Sequence, residues 1–270
     1  MSRNTVTRCF RVAASSAALA VVLPFASHAQ QKPAQGAKAQ WNVITVATVK
    51  PEMRDQFEAF QKELMMAFKK AEVPSRVVLQ PVMGDLLEYV TIYPIANFAD
   101  LDGPSPAERT LGKDGLASSM AKIAGAVTTV RRFGSQDMND LSIHTESKEP
   151  APYGLVMFMR TAPGKGPEFE AWLRNDYMPV MKKAEVKNLS VARNVFGSNL
   201  NEYVLARPLQ KLAEIDAGPP TRKVLGVDGA NKLMAKTAGI VESVEYRIYR
   251  YRADLSYGAP AQNQTTASAR

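Results

Sequence analysis

The 270-residue sequence predicts an α+β protein built from two tandem βαββαβ domains packed sheet to sheet. Three observations carry that expectation. Short blocks recur in unchanged order at a nearly constant offset, and each copy reads strand, helix, strand, strand, helix, strand. The first strand of the second copy, Leu155-Val156-Met157-Phe158-Met159, is apolar at every position and therefore needs both faces buried.

The blocks are specific. Phe57-Glu58-Ala59-Phe60 returns as Phe169-Glu170-Ala171-Trp172, and Lys69-Lys70-Ala71-Glu72-Val73 as Lys182-Lys183-Ala184-Glu185-Val186. Glu88-Tyr89-Val90 returns as Glu202-Tyr203-Val204. Leu111 to Val130 matches Leu225 to Val244, sharing Leu-Gly-x-Asp-Gly and Met-Ala-Lys-x-Ala-Gly, and Asp140-Leu141-Ser142 matches Asp254-Leu255-Ser256. A period of about 114 residues exceeds the roughly 20–50 of solenoid repeats and suits a small domain. The boundaries that follow are 41–133 for the first domain, 134–152 for a linker and 153–257 for the second domain.

In the first copy Val43 to Val49 is rich in β-branched residues and reads as a strand. Pro51 opens a helix, where its missing N–H costs nothing. Phe57, Phe60, Leu64, Phe68 and Ala71 form one apolar stripe at helical spacing, and Pro74 ends it. Arg76 to Met83 and Leu86 to Tyr93 read as a hairpin turning at Gly84-Asp85. Asp114 is the expected N-cap of a helix closed by Gly125, and Val127 to Phe133 is the last strand. The second copy repeats this with Leu155 to Met159, a helix from Pro167 to Ala184, strands Ser190 to Phe196 and Glu202 to Ala206, a helix capped by Asp228, and Val241 to Tyr251.

The βαββαβ order is the ferredoxin-like arrangement, an antiparallel sheet with both helices on one face. With its Phe-Glu-Ala-aromatic helix starts, paired Lys-Lys-Ala-Glu-Val and paired Leu-Gly-x-Asp-Gly, the stretch Trp41 to Tyr257 resembles the dimeric α/β-barrel superfamily, which includes the antibiotic-biosynthesis monooxygenase and NIPSNAP-like families. The resemblance implies a pseudo-dimeric barrel within one chain and ligand clefts between each sheet and its helices.

Outside the repeats, Arg3, Arg8 and Arg11 precede a run of about 14 apolar or small residues, Val12 to Phe25, followed by Ser27-His28-Ala29. That is the pattern of a signal peptide over 1–29, and the run falls short of the roughly 20 residues that span a bilayer, so no membrane segment is expected to be retained. The expectation is export, to a bacterial periplasm. Residues 30–40 read as a flexible leader and 258–270 as a disordered tail. Cleavage removes Cys9, the only cysteine, and with it thiol, disulfide and thiolate–metal chemistry. Three arginines leave as well, lowering the formal charge from +8 to +5, and the remaining basic residues are interspersed with acids. Nucleic acid is not an expected partner.

No nucleophile elbow, phosphate-binding glycine loop or zinc-binding helix motif is present, and neither a cofactor nor a metal is expected. His144 is the only histidine left after cleavage and stands in the polar linker without a repeat counterpart. The copies differ most in the first helix and the following strand. In the antibiotic-biosynthesis monooxygenases Asn, Trp and Tyr side chains hold a phenolic substrate, so the resemblance directs attention to Trp172, Asn175 and Tyr177, with Arg193 and Asn194 on the next strand facing the same cleft. Trp172 also occupies the slot of Phe60 in the apolar stripe, a core position. Three functions follow: an exported protein binding a small, partly aromatic ligand in a sheet–helix cleft; a cofactor-independent monooxygenase-like enzyme; or a structural protein whose clefts are filled by Met157, Phe158, Met159, Met178 and Met181. Whether it is an enzyme is open at this point.

Overall fold

The computed structural model describes residues 41–145 and 150–258. The expected signal peptide and leader, and the expected tail beyond Gly258, lie outside the described residues. Eight strands form: β1 (Trp41–Val49), β2 (Val77–Pro81), β3 (Glu88–Ile95), β4 (Val127–Asp137), β5 (Tyr153–Thr161), β6 (Ser190–Phe196), β7 (Glu202–Leu209) and β8 (Val241–Tyr251). They close into one barrel in the order β1-β3-β2-β8-β5-β7-β6-β4, every pairing antiparallel. The first half contributes β4-β1-β3-β2 and the second β8-β5-β7-β6. The halves join at their edges, β2 to β8 through Leu79↔Tyr251 and β4 to β6 through Asp137↔Ala192. Closure leaves no strand edge unpaired.

Closure also explains where strand limits differ from the sequence expectation. β4 continues to Asp137, four residues beyond Phe133 into the expected linker, because β6 pairs within its own half only with β7 and takes its second partner from β4. Immediately after each last strand the chain crosses to the other half. Ile143 bridges Leu189, and Tyr257 bridges Arg76. Leu141 enters the core of the second half beside Met181 and Val191, and Leu255 enters the core of the first beside Phe57 and Val78. The Ser142 Oγ accepts from the Val191 N–H (2.9 Å), as the Ser256 Oγ does from the Val78 N–H (2.8 Å). The repeated Asp-Leu-Ser is thus an arm that fastens each half to its neighbour.

Outside the barrel lie α1 (Arg54–Lys70) and α2 (Pro106–Ala121) of the first half, then α3 (Gly166–Trp172), α4 (Met178–Lys183) and α5 (Pro220–Ala235) of the second. The Lys-Lys-Ala-Glu-Val blocks end helices: Glu72 and Glu185 both adopt φ 58°, and Val73 and Val186 reach back to the carbonyls of Phe68 (3.2 Å) and Met181 (3.1 Å). That is the Schellman C-cap, here with glutamate in the left-handed position. The glutamate of each Phe-Glu-Ala block accepts from the tyrosine of each Glu-Tyr-Val block, Tyr89 to Glu58 at 2.6 Å and Tyr203 to Glu170 at 2.9 Å.

Three helices depart from expectation, α5 among them because it starts at Pro220 and not at Asp228. α2 starts at Pro106, capped by Ser105, whose Oγ accepts from the Glu108 N–H (3.2 Å), and not at Asp114. The Ser-Pro-x-Glu signal for that start is present in the sequence. The Leu-Gly-x-Asp-Gly block lies inside the helix and breaks it: Gly112 has φ 72° and Gly226 in α5 has φ 68°, a backbone that favours glycine. The expected single helix over 167–184 is divided by a π-turn, Leu173–Tyr177, which absorbs the one residue by which the second copy is longer.

Candidate functional site

Each half has a space between its sheet and its helices, and the two have opposite contents. In the second half the floor carries Met157, Met159 and Leu205, which pack with Trp172, Met178 and Met181 into one continuous core. Strand register places Thr45, Ala47 and Thr91 at the corresponding positions of the first half. Ala47 packs there with Val49, Phe57 and Tyr89 into a smaller core.

A cleft of about 1300 Å³ opens at the end of the first half, above the roughly 300–1,000 Å³ of ordinary ligand pockets. Its floor is β1, β3 and β4, with Val43, Tyr93 and Arg132; its sides are the end of α1, the 97–101 loop and the start of α2 with Arg109. The tip of β6 in the second half completes it with Phe196 and Gly197. The 97–101 loop is held by its own polar groups, since Asn97 Oδ1 accepts from the Ala99 N–H (2.9 Å) and Asp100 Oδ2 from the Ala96 N–H (2.8 Å). That loop presents Phe98, which lies edge-on between Trp41 (5.0 Å) and Phe196 (5.1 Å). Phe196 is 61 % exposed, so an aromatic face of the cleft is uncovered.

Arg132 is the charged side chain of the cleft floor and Arg109 stands at its side, while Glu72 and Asp100 also belong to the lining. The Nε of Arg132 donates to the Thr45 Oγ1 (3.1 Å), which orients the guanidinium. Among the described residues no carboxylate lies within 4 Å of Arg132 or Arg109. Beneath the cleft Arg76 is 1 % exposed, donates to Gln61 and to the Leu255 carbonyl (3.0 Å), and leaves its Nε without a partner. Burial without a counter-charge pulls its pKa down to about 10. Burial raises the Tyr93 phenol, against the pull of Arg132 and Arg76 in the other direction. The field is therefore positive around a phenol that faces the cleft. An anion fits such a place.

The five residues singled out from the sequence are dispersed. Trp172 is in the core of the second half, stacked on Phe169 (5.6 Å), with its Nε1 donating to the Leu233 carbonyl (3.2 Å). Tyr177 packs on Trp172 (5.2 Å), and burial pushes its phenol strongly upward. Asn175, on the π-turn between them, is exposed. Arg193 faces the helices, beside Gln136 (3.2 Å) and Glu170 (3.6 Å). Asn194 points to the other face of the sheet, as alternation along a strand requires, and its Nδ2 donates to Glu202 (2.7 Å) and Ser198 (3.3 Å). Arg193 and Asn194 thus do not share a cleft. His144 is exposed beyond the second-half bridge. Among the described residues no group of three or more His, Cys, Asp or Glu side chains could hold a metal ion, and no helix is long and apolar enough to cross a membrane.

A closed antiparallel barrel with ferredoxin-like halves and helices outside is the dimeric α/β-barrel fold. Solved structures share it: a candidate monooxygenase from Lactobacillus acidophilus NCFM (TM-score 0.56, 11 % identity, covering 82 % of this chain and 96 % of that one); an anthrone oxidase-like protein (0.56, 12 %, 87 % and 98 %); and a candidate monooxygenase from Fusobacterium nucleatum (0.53, 9 %, 83 % and 100 %). At these identities the likeness is one of fold. By sequence, no family model and no curated protein matches the chain.

Proposed function

We propose that this chain is an exported binding protein for a small anionic aromatic molecule, held in the cleft of the first half. The observation that carries the reading is the Arg132 guanidinium on the cleft floor, oriented by Thr45 and free of any carboxylate, beside the exposed ring of Phe196. The anion of the ligand pairs with Arg132 and its ring lies against Phe98 and Phe196. Within one chain the pseudo-dimer needs only one such cleft, and the second half serves as the filled, supporting partner.

Calorimetric titration with 6-hydroxy-2-naphthoate tests the reading. Wild-type protein is expected to bind one equivalent, and Arg132→Gln to weaken binding at least tenfold without lowering the unfolding midpoint, since the side chain is exposed. Equal affinity in the variant would remove Arg132 from the site. A second reading is that the bound phenol reacts with dioxygen. It is favoured by the Arg132 guanidinium, which would stabilise a ligand phenolate paired with it, and by the monooxygenase names of proteins with this fold. Oxygen uptake dependent on the naphthoate would support turnover; binding without uptake supports the carrier reading.

A further inference from the structure

We propose that the inside of the barrel is a second binding site, for a small hydrophobic amine whose protonated nitrogen pairs with Asp137 and Ser190. All eight strands line a chamber of about 240 Å³, which shares Asn42 and Pro94 with the lining of the outer cleft and differs from it in chemistry. The chamber arises because the halves have diverged. Strand register pairs Val77, Leu79 and Ile92 of the first half with Ser190, Ala192 and Ala206 of the second. Each swap removes a branched side chain from one wall, and the space lies against that wall.

The chamber walls are largely apolar, yet they carry a carboxylate without a counter-charge and a hydroxyl without a partner. Asp137, at the end of β4, takes one hydrogen bond from Asn42 Nδ2 (3.0 Å). No Lys, Arg or His lies within 4 Å of it among the described residues, and Arg207, the basic residue of the lining, pairs with Glu214 (3.8 Å). On the neighbouring strand Ser190 has a buried Oγ with no partner. A partly buried carboxylate without a counter-charge and a buried hydroxyl without a partner both carry a free-energy penalty that a ligand can relieve. An ammonium group has three donors, a positive charge and no acceptor, so it satisfies both; the apolar walls take the remainder of the molecule. An anion would be repelled by Asp137, which separates this ligand class from that of the outer cleft.

The test uses 2-phenylethylamine and, as its uncharged counterpart, 2-phenylethanol, titrated calorimetrically into the whole protein at pH 7.5. Wild type is expected to bind the amine at least tenfold more tightly than the alcohol. Asp137→Asn should erase that preference, and Ala192→Leu, which restores the first-half residue, should abolish binding of both. Arg132→Gln should change neither. If Ala192→Leu fails to fold, Ala206→Ile closes the same wall from β7 and takes its place. Amine binding that is absent in wild type, or that persists undiminished in Asp137→Asn or in the folded filling variant, overturns the proposal.

Discussion

Replacing Asp137 with Asn should stabilise the protein at neutral pH and not in acid. Burial raises the Asp137 carboxyl from its ordinary 3.8 to about 6, only partly opposed by the hydrogen bond from Asn42. A carboxyl whose folded pKa lies above its unfolded one binds its proton more tightly when folded. Ionisation therefore costs stability: nothing below 3.8, progressively more between 3.8 and about 6, and the full amount above that. The gap corresponds to about 3 kcal/mol, and the partial exposure of Asp137 brings the expected effect to about 1–3 kcal/mol. The hydrogen-bond partner of Asp137 is the neutral Asn42, and Arg207, the charged residue elsewhere in the chamber lining, is paired with Glu214. Urea unfolding of wild type and variant at pH 3.5 and pH 7.5 gives the answer as a difference of differences, in which any constant effect of the new amide drops out. The variant should gain about 1–3 kcal/mol on the wild type between the two pH values. A difference that does not change with pH would show that the carboxyl is solvated and would refute the reasoning.

Other consequences concern the joints between the halves. Glu58 on α1 is gripped by Arg252 from the second half (2.7 and 2.8 Å), by Tyr89 and by Arg54, and the arginine hydrogen bond above all lowers its pKa to about 2. That stability is present above its ordinary 4.5 and lost as pH falls toward 2, so Glu58→Gln should cost about 2–3 kcal/mol at pH 7 and much less at pH 3, read by urea unfolding. Leu141→Ala should cost about 2–5 kcal/mol, because it empties a fully buried position in the core of the half that Leu141 does not belong to by sequence. A loss below about 0.5 kcal/mol, as expected of a linker residue, would contradict the crossed-arm account.

Much of the architecture was legible in the repeated blocks, and the structure gives each block the same task in both halves. Phe-Glu-Ala and Glu-Tyr-Val clamp helix to strand, Lys-Lys-Ala-Glu-Val caps a helix, Leu-Gly-x-Asp-Gly breaks one, and Asp-Leu-Ser fastens an arm. Repetition marks structure. The edge-to-edge closure was not legible, because pairing partners far apart in the chain leave no local period, and residues 134–137 therefore looked like a linker. The clefts were hidden for a different reason. The inner chamber is made by small side chains, Ala192 and Ala206, and missing volume has no pattern of its own; the outer cleft is assembled from the 97–101 loop, the start of α2 and the tip of β6, which meet only in the fold. The large residues Trp172 and Tyr177 drew attention to the half that they fill. Comparing the copies position by position for large-to-small exchanges is the signal that would have found the inner chamber.

The most direct measurement is a crystal structure of the protein with 6-hydroxy-2-naphthoate at saturating concentration. The account predicts the carboxylate or phenolate at Arg132 and the rings against Phe98 and Phe196. Ligand seated instead beside Trp172 and Tyr177 in the second half, or a cleft left empty at saturation, would contradict it.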